Sequence, residues 1–93
     1  MRNKNKFDKA AFERFCRVLA SLSSESEIQQ FLEELLTANE RLDVALRWHL
    51  LEMLSAGTPQ RKIADQLGVS LCKITRGSRL LRNATSVVSS KLR

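Results

Sequence analysis

A glycine between two short amphipathic stretches is the feature that most restricts how this chain folds. In Gln60–Arg79, QRKIADQLGVSLCKITRGSR, apolar residues recur at helical spacing on both sides of Gly68-Val69-Ser70. Ile63 and Leu67 lie four apart and share one face of a first helix. Ala64 is small where two helices must cross closely. Gly68 follows Leu67 directly, where helices commonly end in a left-handed residue that glycine adopts without steric cost. Val69 plugs the turn, and Ser70 caps a second helix that starts at Leu71. Upstream, Thr58 suits an N-cap and Pro59 the first helical position, where a missing N–H loses no bond. Ile74 points back at Ile63 and Leu67, which leaves Leu71, Cys72, Thr75 and Arg79 outward and Lys73 and Arg76 on the flanks. Over about residues 58–82 this is the layout of a helix-turn-helix, whose second helix enters a DNA major groove. A helical hairpin with a solvated basic face is the plainer account. The small residue, turn glycine, capping serine and apolar positions agree within one window, and that agreement favours DNA reading.

Charge points the same way. The net charge is +6 and the pI about 10.0. Residues 1–57 hold eight basic and nine acidic side chains, whereas residues 58–93 hold eight basic ones and Asp65 as their one acid. A smaller basic cluster lies at Arg2, Lys4, Lys6 and Lys9. Such asymmetry calls for a polyanion partner. Binding to a membrane surface would need a strongly apolar face opposite the charges, and the basic segment has too few large apolar residues for one. No run of about 20 apolar residues is present to span a bilayer. The first ten residues are not followed by the apolar run of a signal peptide.

Taken in order, the chain reads as about six short helices, an all-α single domain over residues 1–93. Residues 1–6 are polar and basic, a frayed start. Phe7 to Leu22 places Phe7, Ala11, Phe12, Phe15, Val18, Leu19 and Leu22 on one stripe. Ser24 and Glu27 have the form of a capping box, and Thr37 and Glu40 repeat it. A helix through Ile28, Phe31, Leu32, Leu35 and Leu36 lies between them. The next helix runs from about Ala38 to Ala56 and stops at Gly57. Its second half, LRWHLLEML, is apolar nearly all round, so it is expected to be buried on several sides. A 93-residue chain can hardly enclose such a helix alone, which predicts an obligate homodimer. A last weak helix follows at about Ala84–Leu92.

Catalytic chemistry is not expected. His49 is the single histidine and sits inside the apolar helix, so it reads as a core or interface residue. No nucleophile–base–orienter set can be assembled around it. The glycines at 57, 68 and 77 form no phosphate loop. Glu33 and Glu34 are adjacent and point in different directions. Cys16 and Cys72 fit no metal or redox spacing, and two isolated thiols suit a reducing cytoplasm.

The stretches LTANERLDVALRWHLLEML at 36–54 and QRKIADQLGVSLCKITRGS at 60–78 resemble the core of the bacterial tryptophan operon repressors. ITRGS at 74–78 is the most specific piece, with Leu36-Thr37 and Glu40-Arg41 ahead of it. The resemblance covers roughly Phe31 to Asn83. It implies an intertwined all-helical homodimer in the bacterial cytoplasm that takes L-tryptophan as co-repressor, with no metal. The liganded dimer would bind a palindromic operator in double-stranded DNA and block transcription of tryptophan-related genes.

By position, the resemblance places Arg47 and Arg76 on either face of the indole, where a guanidinium gains cation–π energy. Arg76 can also pair the ligand carboxylate through its planar fork. Thr37 and Gly77 match further pocket positions. Leu80 stands where the family has a serine near the ligand ammonium. Glu34 replaces an apolar residue, and its carboxylate can favour that ammonium. On the DNA side the matching residues are Gln60 and Arg61 near the phosphates, the turn residues Gly68 and Ser70, and Leu71, Cys72 and Thr75 at the start of the second helix. Leu71 and Cys72 can touch thymine methyls, and Thr75 can donate or accept at a base edge. Lys73, Arg79 and Arg82 hold phosphates, which sets affinity and salt dependence. The turn around Gly57-Thr58-Pro59 is one residue shorter than in the family, and the last helix is curtailed. Two other functions remain open: a helix-turn-helix regulator of the same fold that needs no tryptophan, and a basic dimer module that binds nucleic acid without sequence preference.

Overall fold

The computed structural model describes residues 7–92, and the expectations at Arg2, Lys4 and Lys6 lie outside them. The order of elements is α1 (Lys9–Ser21), α2 (Glu25–Leu35), α3 (Ala38–Ser55), α4 (Gln60–Leu67), α5 (Leu71–Arg82) and α6 (Val87–Lys91). All six are helices, and no strand occurs among the described residues. Contacts gather the chain into two units, one through Thr37 and one from Ala38 onward.

The first unit is held by an aromatic run. Phe15 on α1 stacks on Phe31 of α2 with ring centroids 6.1 Å apart, Phe12 lies 6.5 Å from Phe15, and Phe7 lies 5.5 Å from Phe12. Such pairs add about 0.5–1.5 kcal/mol each beyond the area they cover. Helix α1 starts two residues later than the apolar stripe predicts. Asp8 caps it, with Oδ1 accepting from the Ala11 N–H at 3.0 Å. The expected capping box of α2 forms with one difference. Ser24 Oγ accepts from the Glu27 N–H at 3.1 Å, but the Glu27 carboxylate accepts from the Ser23 N–H rather than from Ser24. Neither α1 nor α2 buries a residue fully.

The second unit carries the core. Leu50 and Leu51 of α3, Ile63 of α4 and Ile74 of α5 are buried, with Ile63 and Ile74 at 0% exposure. Complete burial of a side chain of this size contributes about 1.5–3 kcal/mol. Ala64, Leu67, Val69, Leu80, Leu81 and Val88 pack around them. Helix α3 packs on α4 and α5, and α5 packs on α6. The expectation that LRWHLLEML is enclosed on several sides is not met within one chain. Arg47, Trp48 and His49 are exposed, and burial is confined to the face of Leu50 and Leu51 that meets α5.

Helix α3 ends in paired backbone bonds around Gly57: the Thr58 N–H donates to the Met53 carbonyl and the Gly57 N–H to Leu54, each at 3.0 Å. This is the closing pattern of a Schellman motif. Thr58 and Pro59 do not play the expected parts. Pro59 stays extended at ψ 140 and is itself the N-cap of α4, its carbonyl accepting from the Ile63 N–H at 3.1 Å, and no side chain caps the helix. The last helix starts later than the pattern implies, because the Ser86 hydroxyl caps it by accepting from the Ser89 N–H at 3.2 Å.

Candidate functional site

The turn between α4 and α5 has the expected construction. Gly68 adopts φ 65 and ψ 31, the left-handed region, and its N–H closes α4 on the Ala64 carbonyl at 2.9 Å. Ser70 caps α5, its Oγ accepting from the Lys73 N–H at 3.4 Å. Val69 packs against the core from within the turn. With Ile63 and Ile74 facing inward, Leu71, Cys72, Thr75, Arg79 and Arg82 are left exposed along α5, and Gln60 and Arg61 are exposed at the start of α4. Leu71 is 61% exposed at the first position of its helix, a large apolar side chain turned to solvent where a base methyl could cover it.

A cavity of about 270 Å³ opens between α3 and α5. From α3 it is lined by Asp43, Leu46, Arg47 and Leu50, spaced i, i+3, i+4 and i+7, together with Leu51. From α5 it is lined by Lys73, Arg76, Gly77 and Leu80 at the same spacing, and Val69 closes it from the turn. The helical repeat therefore turns one face of each helix into one wall. Leu46, Leu50, Leu51, Val69 and Leu80 are apolar, while Asp43, Arg47, Lys73 and Arg76 are exposed charged groups. Among the described residues none of these four side chains has a hydrogen bond or ion pair. The volume is near the lower limit of ligand pockets, which suits a small metabolite.

Four of the five ligand residues named from the sequence, Arg47, Arg76, Gly77 and Leu80, line this one cavity. The fifth, Thr37, ends the first unit, immediately ahead of α3, and has an interaction partner of its own. Glu34 on α2 accepts from the Gln30 side-chain amide at 2.9 Å. Gly77 has a reason beyond ligand access. It is buried, and a Cβ there would meet Leu50 Cδ2 at 2.7 Å, Leu54 Cδ1 at 3.1 Å and Leu51 Cδ2 at 3.2 Å. The glycine lets α3 and α5 approach closely. Lys73, expected on the DNA phosphates, also lines the cavity. Asp43, Leu46, Leu50, Leu51 and Val69 are lining residues that the sequence reading does not name as such, although Asp43 and Leu50 lie one helical turn either side of Arg47.

The second unit thus has the architecture of a helix-turn-helix protein, with its turn closed at Gly68 and its second helix forming a cavity wall. The family model described as Trp repressor protein matches residues 10–93. A Trp operon repressor homolog of Chlamydia trachomatis serovar L2 is 33% identical over 78 residues, 83% of either chain. One from Xylella fastidiosa strain M23 is 36% identical over 74 residues, covering 78% of this chain and 80% of its own. One from Haemophilus influenzae strain PittEE is 38% identical over 69 residues, covering 73% of this chain and 68% of its own. No solved structure matches the chain. The chain belongs to the Trp repressor family, a regulatory DNA-binding family, and is a repressor of that family. No helix among the described residues is long and apolar enough to cross a membrane.

Proposed function

We propose that the chain, as one domain over residues 1–93, is a tryptophan-dependent transcriptional repressor of the bacterial cytoplasm. Two copies form a homodimer. L-tryptophan enters the cavity between α3 and α5, with its indole between Arg47 and Arg76 and its carboxylate on the Arg76 guanidinium. Thr37 is a further ligand residue on the strength of the family resemblance alone. The liganded dimer sets both α5 helices at successive major grooves of a palindromic operator, roughly 34 Å apart as in the family's own well-known docking mode. Leu71, Cys72 and Thr75 meet base edges. Gln60, Arg61, Lys73, Arg79 and Arg82 meet phosphates, and Gly68 and Ser70 shape the turn. The ligand acts only by binding more tightly when α5 is oriented to fit the groove than when it is not.

The observation that carries this reading is that Arg47 and Arg76, 29 positions apart in sequence, line one cavity whose wall is also the second helix of the helix-turn-helix. Fluorescence anisotropy of a labelled palindromic trp-operator duplex, titrated with and without L-tryptophan at moderate salt, tests it. Tight binding only with tryptophan is expected. Specific binding without tryptophan leaves a regulator of this fold with another signal, and equal binding to any duplex leaves a basic dimer module. Arg76→Ala should abolish the tryptophan response with the melting temperature retained, because the side chain is exposed and outside the core. Unchanged tryptophan affinity in that variant, measured by calorimetry, would show that the pocket lies elsewhere.

A further inference from the structure

Among the described residues Ser89 is the one polar or charged side chain that is buried, at 7% exposure. Neither the ligand site nor the DNA-facing surface uses it. Its hydroxyl donates to the Leu81 carbonyl at 3.4 Å. Leu81 lies in the last turn of α5, where carbonyls have no partner further along the helix. Helix α6 thus closes the end of α5 from outside. The connection between the two helices is bonded to itself. The Asn83 N–H donates to the Leu80 carbonyl at 3.1 Å, and the Ser86 N–H to the Asn83 carbonyl at 3.1 Å. The Thr85 N–H and hydroxyl both donate to Asn83 Oδ1, at 3.0 and 2.8 Å. Beyond α6 the chain reaches α3. The Ser55 hydroxyl donates to the Leu92 carbonyl at 3.3 Å, and Val88 and Leu92 pack against the core. The C-terminal end of α5 is therefore strapped to the end of α3. Its N-terminal end, with Leu71 exposed, follows the turn at Gly68.

We infer that Ser89 is a positioning residue for DNA reading. Through α6 it fixes the tilt of α5 on α3, and so the spacing at which two readers meet their half-sites. This rests on the reading of α5 as the major-groove helix of a homodimer. A rise of about 1.5 Å per residue puts Leu71 roughly 15 Å from Leu81, so a tilt of about 10° at the strapped end moves the base-facing residues by about 2.6 Å. A shift of that size is nearly the length of a hydrogen bond and breaks contacts to base edges. Long basic side chains can still follow the phosphates, which carry no sequence information. The Ser89 bond is long, so its loss corresponds to about fivefold in affinity rather than more.

The test is fluorescence anisotropy of the full-length protein, saturated with L-tryptophan, on three duplexes. These are the trp-operator palindrome, the same palindrome with one base pair inserted at its centre, and a random sequence. The unmodified protein should prefer the palindrome over its spaced form by at least about tenfold. Ser89→Ala should weaken palindrome binding about fivefold, lower the preference over the spaced form, and leave the random duplex unchanged. Ser55→Ala, at the other end of the strap, should act in the same direction. Ser90→Ala should change nothing, because that hydroxyl donates within α6 to the Val87 carbonyl at 2.6 Å. A loss of folded protein would weaken all three duplexes alike. A preference left unaltered by Ser89→Ala would overturn its positioning role while α5 remains the reader. Equal binding of both palindromes by the unmodified protein would overturn both.

Discussion

Gly77 shows how one residue can serve two ends. Its missing Cβ would point into Leu50, Leu54 and Leu51, the closest contact being 2.7 Å. Alanine is the better helix former by about 1 kcal/mol. Overpacking a close crossing costs about 1–3 kcal/mol, and Leu50, buried at 3% exposure, is the nearest side chain that would have to shift. The steric term is the larger across most of that range, and Gly77→Ala should lower stability by up to about 2 kcal/mol. Urea unfolding should show a lower midpoint at an unchanged slope. A glycine inside a helix reads from sequence as a flaw or a ligand contact, because the residues it must avoid lie more than twenty positions away on another helix. Arg47 and Arg76 were legible only through their resemblance to a family. Each alone is an ordinary surface arginine, and the cavity that unites them depends on how α3 meets α5.

At the scale of elements, local rules carried most of the reading. The ends of α3, α4 and α5 follow from Gly57, Gly68 and Ser70, because caps and left-handed residues act within one turn of chain. The rule failed at Thr58-Pro59. There the extended ψ of Pro59 makes it the cap, and the threonine is left outside the helix. The caps also differ in strength. Ser70 accepts at 3.4 Å alone, whereas Ser24 accepts at 3.1 Å with the Glu27 carboxylate bonding back to Ser23. Ser24→Ala should therefore cost about 1 kcal/mol, and Ser70→Ala about half of that, read as shifts of thermal midpoint. Gly68→Ala should cost about 1 kcal/mol or more, because a Cβ at φ 65 is strained even though the space around it is open. Gly68→Asn should recover part of that loss, since asparagine tolerates the left-handed region. A protein in which Gly68→Ala melts at the unmodified temperature would not have this turn.

For the whole molecule, the apolar surface left by a single chain is the main fact. Leu42, Val44 and Trp48 on α3 are 55%, 52% and 38% exposed, and Phe12, Ile28 and Leu35 are exposed on the first two helices. The second half of α3 reads from sequence as apolar nearly all round, yet Arg47, Trp48 and His49 are exposed there and burial is confined to Leu50 and Leu51. One chain covers only the Leu50 and Leu51 side, so the remaining apolar surface supports the proposed homodimer. Sedimentation should give twice the chain mass, and the melting temperature should rise with protein concentration. Val44→Asp should shift the species towards single chains and lower the melting temperature, whereas Arg79→Ala, on the outward face of α5, should leave both unchanged. A chain that sediments as a monomer at all concentrations would remove the dimer.

Helix α5 has twelve residues and no spare face. Ile74 and Gly77 are committed to the core, Lys73, Arg76 and Leu80 to the cavity, and Leu71, Cys72, Thr75 and Arg79 to the outside. Such a segment has little freedom to drift. Under the proposed function, a lineage that altered its signal molecule by rotating this helix would, in the same step, scramble its DNA address and open its interior. New ligand preferences are therefore expected to arise on the opposite wall, at positions such as Asp43 and Leu46, where a substitution changes what is sensed without rewriting where the protein binds.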